Sequence, residues 1–233
     1  MGFYYYDWTY FLFMIPALVI TMWAQFRVKS TFSRYSQIRN DRGVTGSDAA
    51  RTVLRMHGVT DVGIERVSGS LTDHFDPSTK VIRLSDSVGA SDSVAAVGVA
   101  AHEAGHAVQH AQGYFPIRLR SAIVPVVRIA SNLAMPMIII GLILPLQYQL
   151  VTTLGIIFYT AAIFFEVVTL PVEINASRRA LAAINDSGML SEEERKGAKK
   201  VLTAAAMTYL ASAFVALLNL LRILLIVNRR RER

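Results

Sequence analysis

Cysteine is absent from this chain of 233 residues. The protein therefore contains no disulfide bonds, and it has no thiolate that could ligate zinc. The absence leaves the cellular compartment open, because it is compatible with both oxidising and reducing surroundings. Charged residues are also scarce, at 18% of the chain, and neither an internal repeat nor a low-complexity tract is present. The missing repeat argues against a transporter or channel built from repeated spans.

Apolar residues, in contrast, are abundant. They make up 53% of the chain, and the mean hydropathy of +0.38 is too high for an ordinary soluble domain. A helix needs about 20 mostly apolar residues to cross a bilayer. Four stretches meet that requirement, at residues 8–26, 123–144, 150–170 and 202–227. We therefore expect an integral membrane protein that is mainly α-helical, with about four transmembrane helices.

The first of these stretches is predicted to be an uncleaved anchor. No basic region precedes it, its apolar run is long, and a cluster of Lys and Arg follows it directly. These flanks argue against a cleaved signal peptide. Aromatic residues at both ends are typical of membrane interfaces. They are Tyr4, Tyr5, Tyr6, Trp8 and Trp23.

The distribution of Lys and Arg predicts the orientation, since these residues favour cytoplasmic loops. Residues 27–120 carry twelve of them and residues 171–200 carry six, whereas the connection at 145–149 carries none. The polar segments are therefore expected in the cytoplasm, with the N-terminus outside and the protein in the plasma membrane. The tail at 229–233 carries four Arg. With four full crossings it would lie outside, so either the last segment does not cross fully or the rule fails there.

The net charge of +7 is also explained by the expected membrane location. In a soluble protein such a charge suggests nucleic acid as a partner, but here the basic residues flank apolar spans. They are therefore expected to contact anionic lipid headgroups of the bilayer. The sequence contains no nucleic-acid-binding motif.

The central motif is the run HEAGH at residues 102–106. Positions i and i+4 of a helix lie on one face, so His102 and His106 can bind one Zn²⁺ at ~2.0–2.1 Å. Glu103 can act as general base toward a water on the metal and then protonate the leaving amine. The preceding residues 94–101 are small and apolar, and a charged Glu in such a helix needs a partner, which a metal supplies. We predict one catalytic zinc ion per chain.

A small α+β unit is predicted around this motif. Residues 47–57 have apolar side chains at helical spacing, and Ser91 or Asp92 can cap the helix that carries the motif. Three short strands between the two helices are expected to form a short antiparallel sheet. They comprise residues 61–67, 71–75 and 80–84, and the Asp-Pro-Ser-Thr run at 76–79 is a type I turn signal that makes the last two a hairpin.

This hairpin bears on the predicted mechanism. A protease can hold an extended substrate against a free strand edge by backbone hydrogen bonds. Asp73 and His74 lie on the hairpin. His74 is a candidate donor to the oxyanion that forms at the scissile carbonyl. The alternative is that His74 is simply a polar residue on the solvated face of a strand.

A third ligand is required, because a catalytic zinc site holds three protein ligands and an open position. The candidates are His57, His74, His110, Glu166 and Glu173. His110 sits about 6 Å further along the helix than His106 and points past the metal. We favour Glu173, which is expected to start a new helix after Pro171.

Glu166 has a separate explanation. It lies in the third apolar stretch, and Arg128 lies at a similar depth in the second. A charged group within the bilayer seeks a partner of opposite charge. The sequence therefore predicts an intramembrane ion pair between Arg128 and Glu166.

On these motifs the chain resembles the integral-membrane zinc peptidases of the HtpX/Ste24 type, which are gluzincins, and more closely the YugP-like family of neutral zinc metallopeptidases. The resemblance extends over most of the chain after residue 46. It implies a zincin-like unit, zinc ligation by His102, His106 and Glu173, and Glu103 as catalytic acid and base. One position departs from the broader pattern, since Ser177 stands where those enzymes usually have an Asp that supports a zinc-binding His. The similar segments are LTDHFDP at 71–77, 93–106, LPVEINASRRAL at 170–181, 197–202, and the final span with Arg222.

The predicted organisation has five segments. They are an N-terminal anchor at 1–26, a catalytic segment at 27–122, a transmembrane hairpin at 123–170, a third-ligand helix and linker at 171–200, and a final transmembrane helix with a basic tail at 201–233. A capping box, Ser191 with Glu194, begins the last helix.

The predicted function is a membrane-embedded zinc metalloendopeptidase that cleaves proteins or peptides, with substrates in or near the bilayer. The alternative is a non-catalytic membrane scaffold or adaptor with a structural zinc. Structural zinc sites usually have four protein ligands and are rich in Cys, which argues against that alternative here. The sequence gives no indication of an oligomeric state.

Overall fold

The computed structural model describes residues 8–231, so Tyr4, Tyr5 and Tyr6 of the predicted aromatic belt lie outside the described residues. Seven α-helices and three strands are described. They follow in the order α1 (Trp8–Ser36), α2 (Gly46–Met56), β1 (Gly63–Val67), β2 (His74–Asp76), β3 (Val81–Ser85), α3 (Asp86–Gly89), α4 (Val94–Ala111), α5 (Phe115–Ile143), α6 (Gln149–Ser187) and α7 (Glu192–Arg231), with a 3₁₀ turn at Leu146–Tyr148 before α6.

The chain divides into two compact units. The helical unit comprises residues 8–25, Leu119–Val168 and 208–231, and the mixed unit comprises Phe26–Arg118 and Thr169–Met207. The four longest helices, α1, α5, α6 and α7, are each long and apolar enough to cross a membrane. The predicted fold class, mainly helical with four membrane-spanning helices and a small α+β part, is confirmed.

The helical unit presents apolar side chains on its outer surface. Leu18, Val126 and Ile143 remain 60%, 68% and 78% exposed, as suits groups that face lipid hydrocarbon. Inside the unit, α5 and α6 pack closely at two glycines. A Cβ at Gly155 would lie 2.8 Å from Ile138 Cγ1, and one at Gly141 would lie 2.6 Å from the backbone nitrogen of Thr152. Small residues of this kind let membrane helices approach one another.

The end of α7 lies beside the end of α5. Arg230 donates through Nη1 to the carbonyl oxygen of Gly141, at 2.6 Å, and through Nη2 to that of Leu144. A cation here satisfies carbonyl groups that have no partner within a helix terminus. Within the helical unit, α7 therefore reaches the α5–α6 connection.

The predicted ion pair between Arg128 and Glu166 is wrong. Within residues 8–231, no ion pair joins these side chains, and Oε2 of Glu166 is buried without a hydrogen-bond partner. Arg128 is exposed, whereas α5 packs against α6 through buried Ala134 and Ile138 on another face. Similar depth in the two spans was not sufficient, because the side chains point in different directions.

The mixed unit contains a three-stranded sheet of order β1-β3-β2. β2 and β3 form the predicted antiparallel hairpin, with His74 opposite Arg83, and Asp76 accepts hydrogen bonds from Ser78 and Thr79 in the turn. β1, however, pairs with β3 in parallel. The sheet is therefore mixed rather than antiparallel, because β2 lies on the far side of β3 instead of next to β1. This order leaves β2 at an edge.

The core of the mixed unit lies between α2, α4 and the sheet. It includes Val53 of α2, Val97 of α4 and Ile82 of β3, all fully buried. Ser93, rather than Ser91 or Asp92, caps α4, and its hydroxyl accepts from the backbone N–H of Ala96 at 3.2 Å. The predicted caps were one or two residues early.

Two predicted helix starts, at Pro171 and at Ser191, can be compared with the structure. Pro171 lies inside α6, so Glu173 does not start a new helix, and a single helix of 39 residues runs through it. Proline removes one backbone donor, and a long packed helix can absorb that loss. The capping box before α7 is confirmed, since the Ser191 N–H donates to Glu194 at 2.7 Å.

Candidate metal centre

The candidate metal centre begins with two imidazoles on α4. His102 and His106 are four positions apart on the helix, so both rings project from the same face. Their centroids lie 4.7 Å apart in an edge-on arrangement. His106 is buried and His102 is partly buried.

Glu173 of α6 completes the group. Its Oε2 lies 3.3 Å from Nε2 of His102 and 3.4 Å from Nε2 of His106. Glu173 is only 2% exposed. One ligand atom from each of the three residues lies within 4.8 Å of the others. The structure thus brings together the three residues that the sequence predicts as metal ligands.

A glycine and an alanine allow α4 and α6 to approach closely enough for this. A Cβ at Gly105 would lie 2.7 Å from the carbonyl oxygen of Ala176, which is closer than real side chains come. Ala176 is itself fully buried. The two small residues lie one position before His106 and three after Glu173, so the helix contact falls at the level of the ligands.

The donor set fits zinc. Two ligands at ~2.0–2.1 Å from one ion in tetrahedral geometry lie about 3.3–3.4 Å from each other. The observed separations of 3.3 and 3.4 Å between Glu173 and the two imidazoles match this spacing. They are longer than the ~2.7–2.9 Å of a direct hydrogen bond between an imidazolium and a carboxylate. Two histidines, one carboxylate and no thiolate form a typical ligand set of catalytic zinc sites.

His102 is held by Ser177 of α6. The hydroxyl Oγ lies 3.1 Å from Nδ1 of the ring, which leaves Nε2 directed at Glu173. Ser177 therefore supports the ring with one hydrogen bond and adds no charge.

His106 is held by Gln109, a residue that the sequence reasoning missed. Nδ1 of the ring lies 3.0 Å from Oε1 of Gln109. Gln109 is fully buried, and its Nε2 donates to the carbonyl oxygen of Val172 at 2.8 Å and to Oδ1 of Asn175 at 3.0 Å. The available signal was a polar residue three positions after His106 on an otherwise apolar helix.

Arg179 extends this network toward the surface of the mixed unit. Its Nε donates to Oδ1 of Asn175 at 2.8 Å, and its Nη1 donates to Oε1 of Gln112 at 2.6 Å. The guanidinium also lies 6.0 Å from the ring centre of Tyr114.

Glu103 lies between the metal group and the edge strand. Its Oε2 accepts a hydrogen bond of 3.0 Å from the backbone N–H of Phe75 on β2. Burial raises the pKa of the Glu103 carboxyl above its usual range, and the two neighbouring imidazoles offset part of that rise. A carboxylate whose pKa is raised is a stronger base than an ordinary glutamate, as suits a group that accepts a proton.

His106 has a perturbed pKa as well. Burial lowers the pKa of its imidazole, but the neighbouring carboxylates of Glu173 and Glu103 together raise it above the ordinary histidine value. Protons and a metal ion therefore compete for this ring.

The remaining histidines lie outside the metal group. His74 is exposed on β2, and its Nδ1 lies 2.8 Å from the carbonyl oxygen of Thr72. Its neighbour Asp73 accepts hydrogen bonds from Ser85 rather than facing the metal group.

The other two were further candidates for the third ligand. Nδ1 of His57 lies 2.9 Å from the carbonyl oxygen of Val53 in its own helix. His110 lies beside Phe75, with ring centres 5.8 Å apart. Neither residue belongs to the group that could hold a metal ion.

Comparison with known proteins agrees with this arrangement. Residues 10–228 match the family described as "Putative neutral zinc metallopeptidase". The match covers nearly the whole chain, including both units, and the chain therefore belongs to this family.

A curated relative is similar over almost its full length. The chain is 46% identical over 223 residues to "Putative membrane protease YugP" of Bacillus subtilis (strain 168), which covers 95% of this chain and 98% of that protein. No solved structure matches the chain significantly.

Proposed function

We propose that this protein is a zinc endopeptidase embedded in the plasma membrane, with its active centre on the cytoplasmic side. The observation that carries the proposal is the convergence of His102, His106 and Glu173 on one point, with Glu103 beside them. Membership of a zinc metallopeptidase family and a relative named as a membrane protease support it. The proteolytic class and the residue roles given below are part of the proposal.

In this proposal the two imidazoles and the Glu173 carboxylate hold one zinc ion. Zinc supplies Lewis acidity and lowers the pKa of a bound water toward 7. Glu103 accepts the proton of the attacking water and delivers it to the nitrogen of the leaving amine. The Phe75 N–H fixes Oε2 of Glu103 at 3.0 Å, which leaves the second oxygen to move the proton.

The hairpin supplies a substrate-binding edge. β2 pairs only with β3 in the described sheet, so its other side can bind an extended peptide by backbone hydrogen bonds. Phe75 places this strand within hydrogen-bonding distance of Glu103. We retain His74 of β2 as a candidate donor to the oxyanion, and its exposure makes it accessible to a substrate.

The location favours substrates in or near the bilayer. Four helices are long and apolar enough to cross a membrane. Most of the Lys and Arg residues lie in the segments 27–120 and 171–200, which contain the metal group. By the positive-inside rule, these segments lie in the cytoplasm.

The test is the Glu103→Gln variant, purified in detergent with its native lipids. Since the amide cannot accept the proton, hydrolysis of casein and of membrane-protein substrates should fall at least ~100-fold, while zinc stays at one ion per chain. Glu192→Gln is the matched control, because this carboxylate is exposed on α7 and pairs with Lys196. Full activity of Glu103→Gln would rule out its role. A wild type that binds zinc but cleaves neither substrate class would contradict the peptidase proposal and favour the adaptor alternative.

A further inference from the structure

The amide of Gln109 has a defined orientation in this structure. It is fully buried, and both its oxygen and its nitrogen are hydrogen-bonded. The carbonyl oxygen of Val172 can only accept, so the Gln109 atom facing it must be the NH₂ group. The opposite atom, which faces His106, is then the oxygen.

Arg179 fixes the same orientation independently. A guanidinium has only donors, so the Asn175 atom at 2.8 Å from Arg179 Nε must be the oxygen. That same oxygen lies 3.0 Å from the Gln109 amide, which must again present its nitrogen. Two acceptors on α6 therefore define which way Gln109 points.

We propose that Gln109 is a positioning residue that keeps His106 in the tautomer protonated at Nδ1, and that Asn175 and Arg179 maintain it in that role. Because Gln109 offers an oxygen to the ring at 3.0 Å, Nδ1 must carry the hydrogen. Nε2 then carries the lone pair, and this is the atom directed at Glu173. The inference rests on the proposed function for its consequence, which is a higher affinity for zinc.

The two imidazoles differ in this respect. Ser177 lies 3.1 Å from Nδ1 of His102, and a hydroxyl can either donate or accept. It therefore holds the ring in place without selecting a tautomer. Only His106 has its tautomer selected. Arg179, which can only donate, orients the amide of Asn175, and Asn175 in turn helps to orient the amide of Gln109.

The experiment compares four variants of the full-length protein in detergent. Gln109→Met keeps the size of the side chain but removes both hydrogen-bonding groups, and should lower zinc affinity about 10–100-fold. Arg179→Ala should lower it less, since Val172 still orients Gln109, and Arg179→Lys should restore most of the loss. Arg178→Ala is the control, because it removes the same charge from an exposed position one residue away. Affinity is measured by competition with a chelator.

A second measurement separates tautomer selection from general structural support. The protein is labelled with ¹⁵N-histidine, stripped of zinc and held at alkaline pH, and the His106 ring signals are assigned by their loss in His106→Ala. The wild type should show protonation at Nδ1, whereas Gln109→Met should show a mixture and Arg179→Ala a smaller change in the same direction.

The outcomes are distinguishable. Unchanged zinc affinity and an unchanged tautomer in Gln109→Met would overturn the positioning role while leaving the proposed function intact. If Gln109→Met does not fold, Gln109→Ala takes its place, and an unaltered tautomer in that variant would overturn the role equally. A wild type that fails to bind zinc would instead contradict the proposed function, while the tautomer measurement would still decide the role of Gln109.

Discussion

Helix α6 makes two close contacts through glycine, and they serve different purposes. In the mixed unit it meets α4 at Gly105, where a Cβ would lie 2.7 Å from the carbonyl oxygen of Ala176. In the helical unit it meets α5 at its own Gly155, where a Cβ would lie 2.8 Å from Ile138. The first contact is lined by hydrogen-bonded polar groups such as Gln109, and the second by apolar groups such as Ala134.

The comparison shows that glycine determines how closely two helices approach but not what chemistry lies between them. At α4–α6 the short distance brings together side chains of two helices that could hold a metal ion and that support each other. At α5–α6 it only improves van der Waals packing. Small residues alone therefore give no indication of a functional site, whereas small residues beside paired polar groups do.

The largest expected effect comes from Gly105→Val. The new side chain meets a backbone carbonyl that cannot rotate away, so the helices must separate. We expect zinc affinity to fall more than 100-fold and the free energy of unfolding to fall by about 1–3 kcal/mol. Gly155→Val is the matched control at the other contact, and it should destabilise the protein by a similar amount while zinc stays bound. Zinc analysis and denaturant unfolding of both variants measure this, and zinc retention in Gly105→Val would show that the close approach is not required.

A change of pH is expected to have an intermediate effect on zinc affinity. Zinc needs a neutral imidazole, and the pKa of His106 is raised by the neighbouring carboxylates. Protonation of His106 should therefore release zinc as the pH falls, beginning above the ordinary histidine value of ~6.5. The stability of the zinc-free protein should show the opposite trend. A His106 pKa that is higher in the folded than in the unfolded chain stabilises the fold at low pH, and this stabilisation is lost as the pH rises. Chelator competition between pH 5 and 8 measures the first trend, and a zinc affinity independent of pH in this range would contradict it.

The smallest effect is expected from Arg128→Leu in the helical unit. The side chain is exposed and forms no ion pair with Glu166, so its removal should change the free energy of unfolding by no more than ~0.5 kcal/mol. Breaking a buried pair would instead cost about 3–5 kcal/mol. Unfolding in lipid or detergent distinguishes the two, with Arg118→Leu as an exposed control near the start of the same helix. A loss above 2 kcal/mol would mean that Arg128 has a buried partner after all.

The parts of the fold that could be predicted were those encoded by local patterns. Long apolar runs predicted the four membrane-spanning helices, and the i, i+4 spacing placed His102 and His106 on one face. The turn signal at 76–79 predicted the β2–β3 hairpin. Each of these depends on neighbours close in sequence, so the chain alone carries the information.

The parts that could not be predicted depend on direction and on distant partners. Whether β1 pairs with β3 depends on which side of β3 is occupied by β2, and no local sequence pattern gives that arrangement. Pro171 resembles a helix start, yet it lies inside α6 because packing along a long helix outweighs one missing donor. Arg128 was paired with Glu166 by depth alone. Gln109 was overlooked because the groups that orient its amide lie more than sixty residues away on α6.

The hydrogen bonds from Arg230 to the last turn of α5 have a practical consequence. They tie the end of α7 to the end of α5, so the C-terminal residues are not a neutral place to alter. A shortened chain that ends before Arg230 would leave the carbonyl groups of Gly141 and Leu144 without these donors. Affinity tags and fluorescent labels are better joined beyond the last residue, with the arginines left in place.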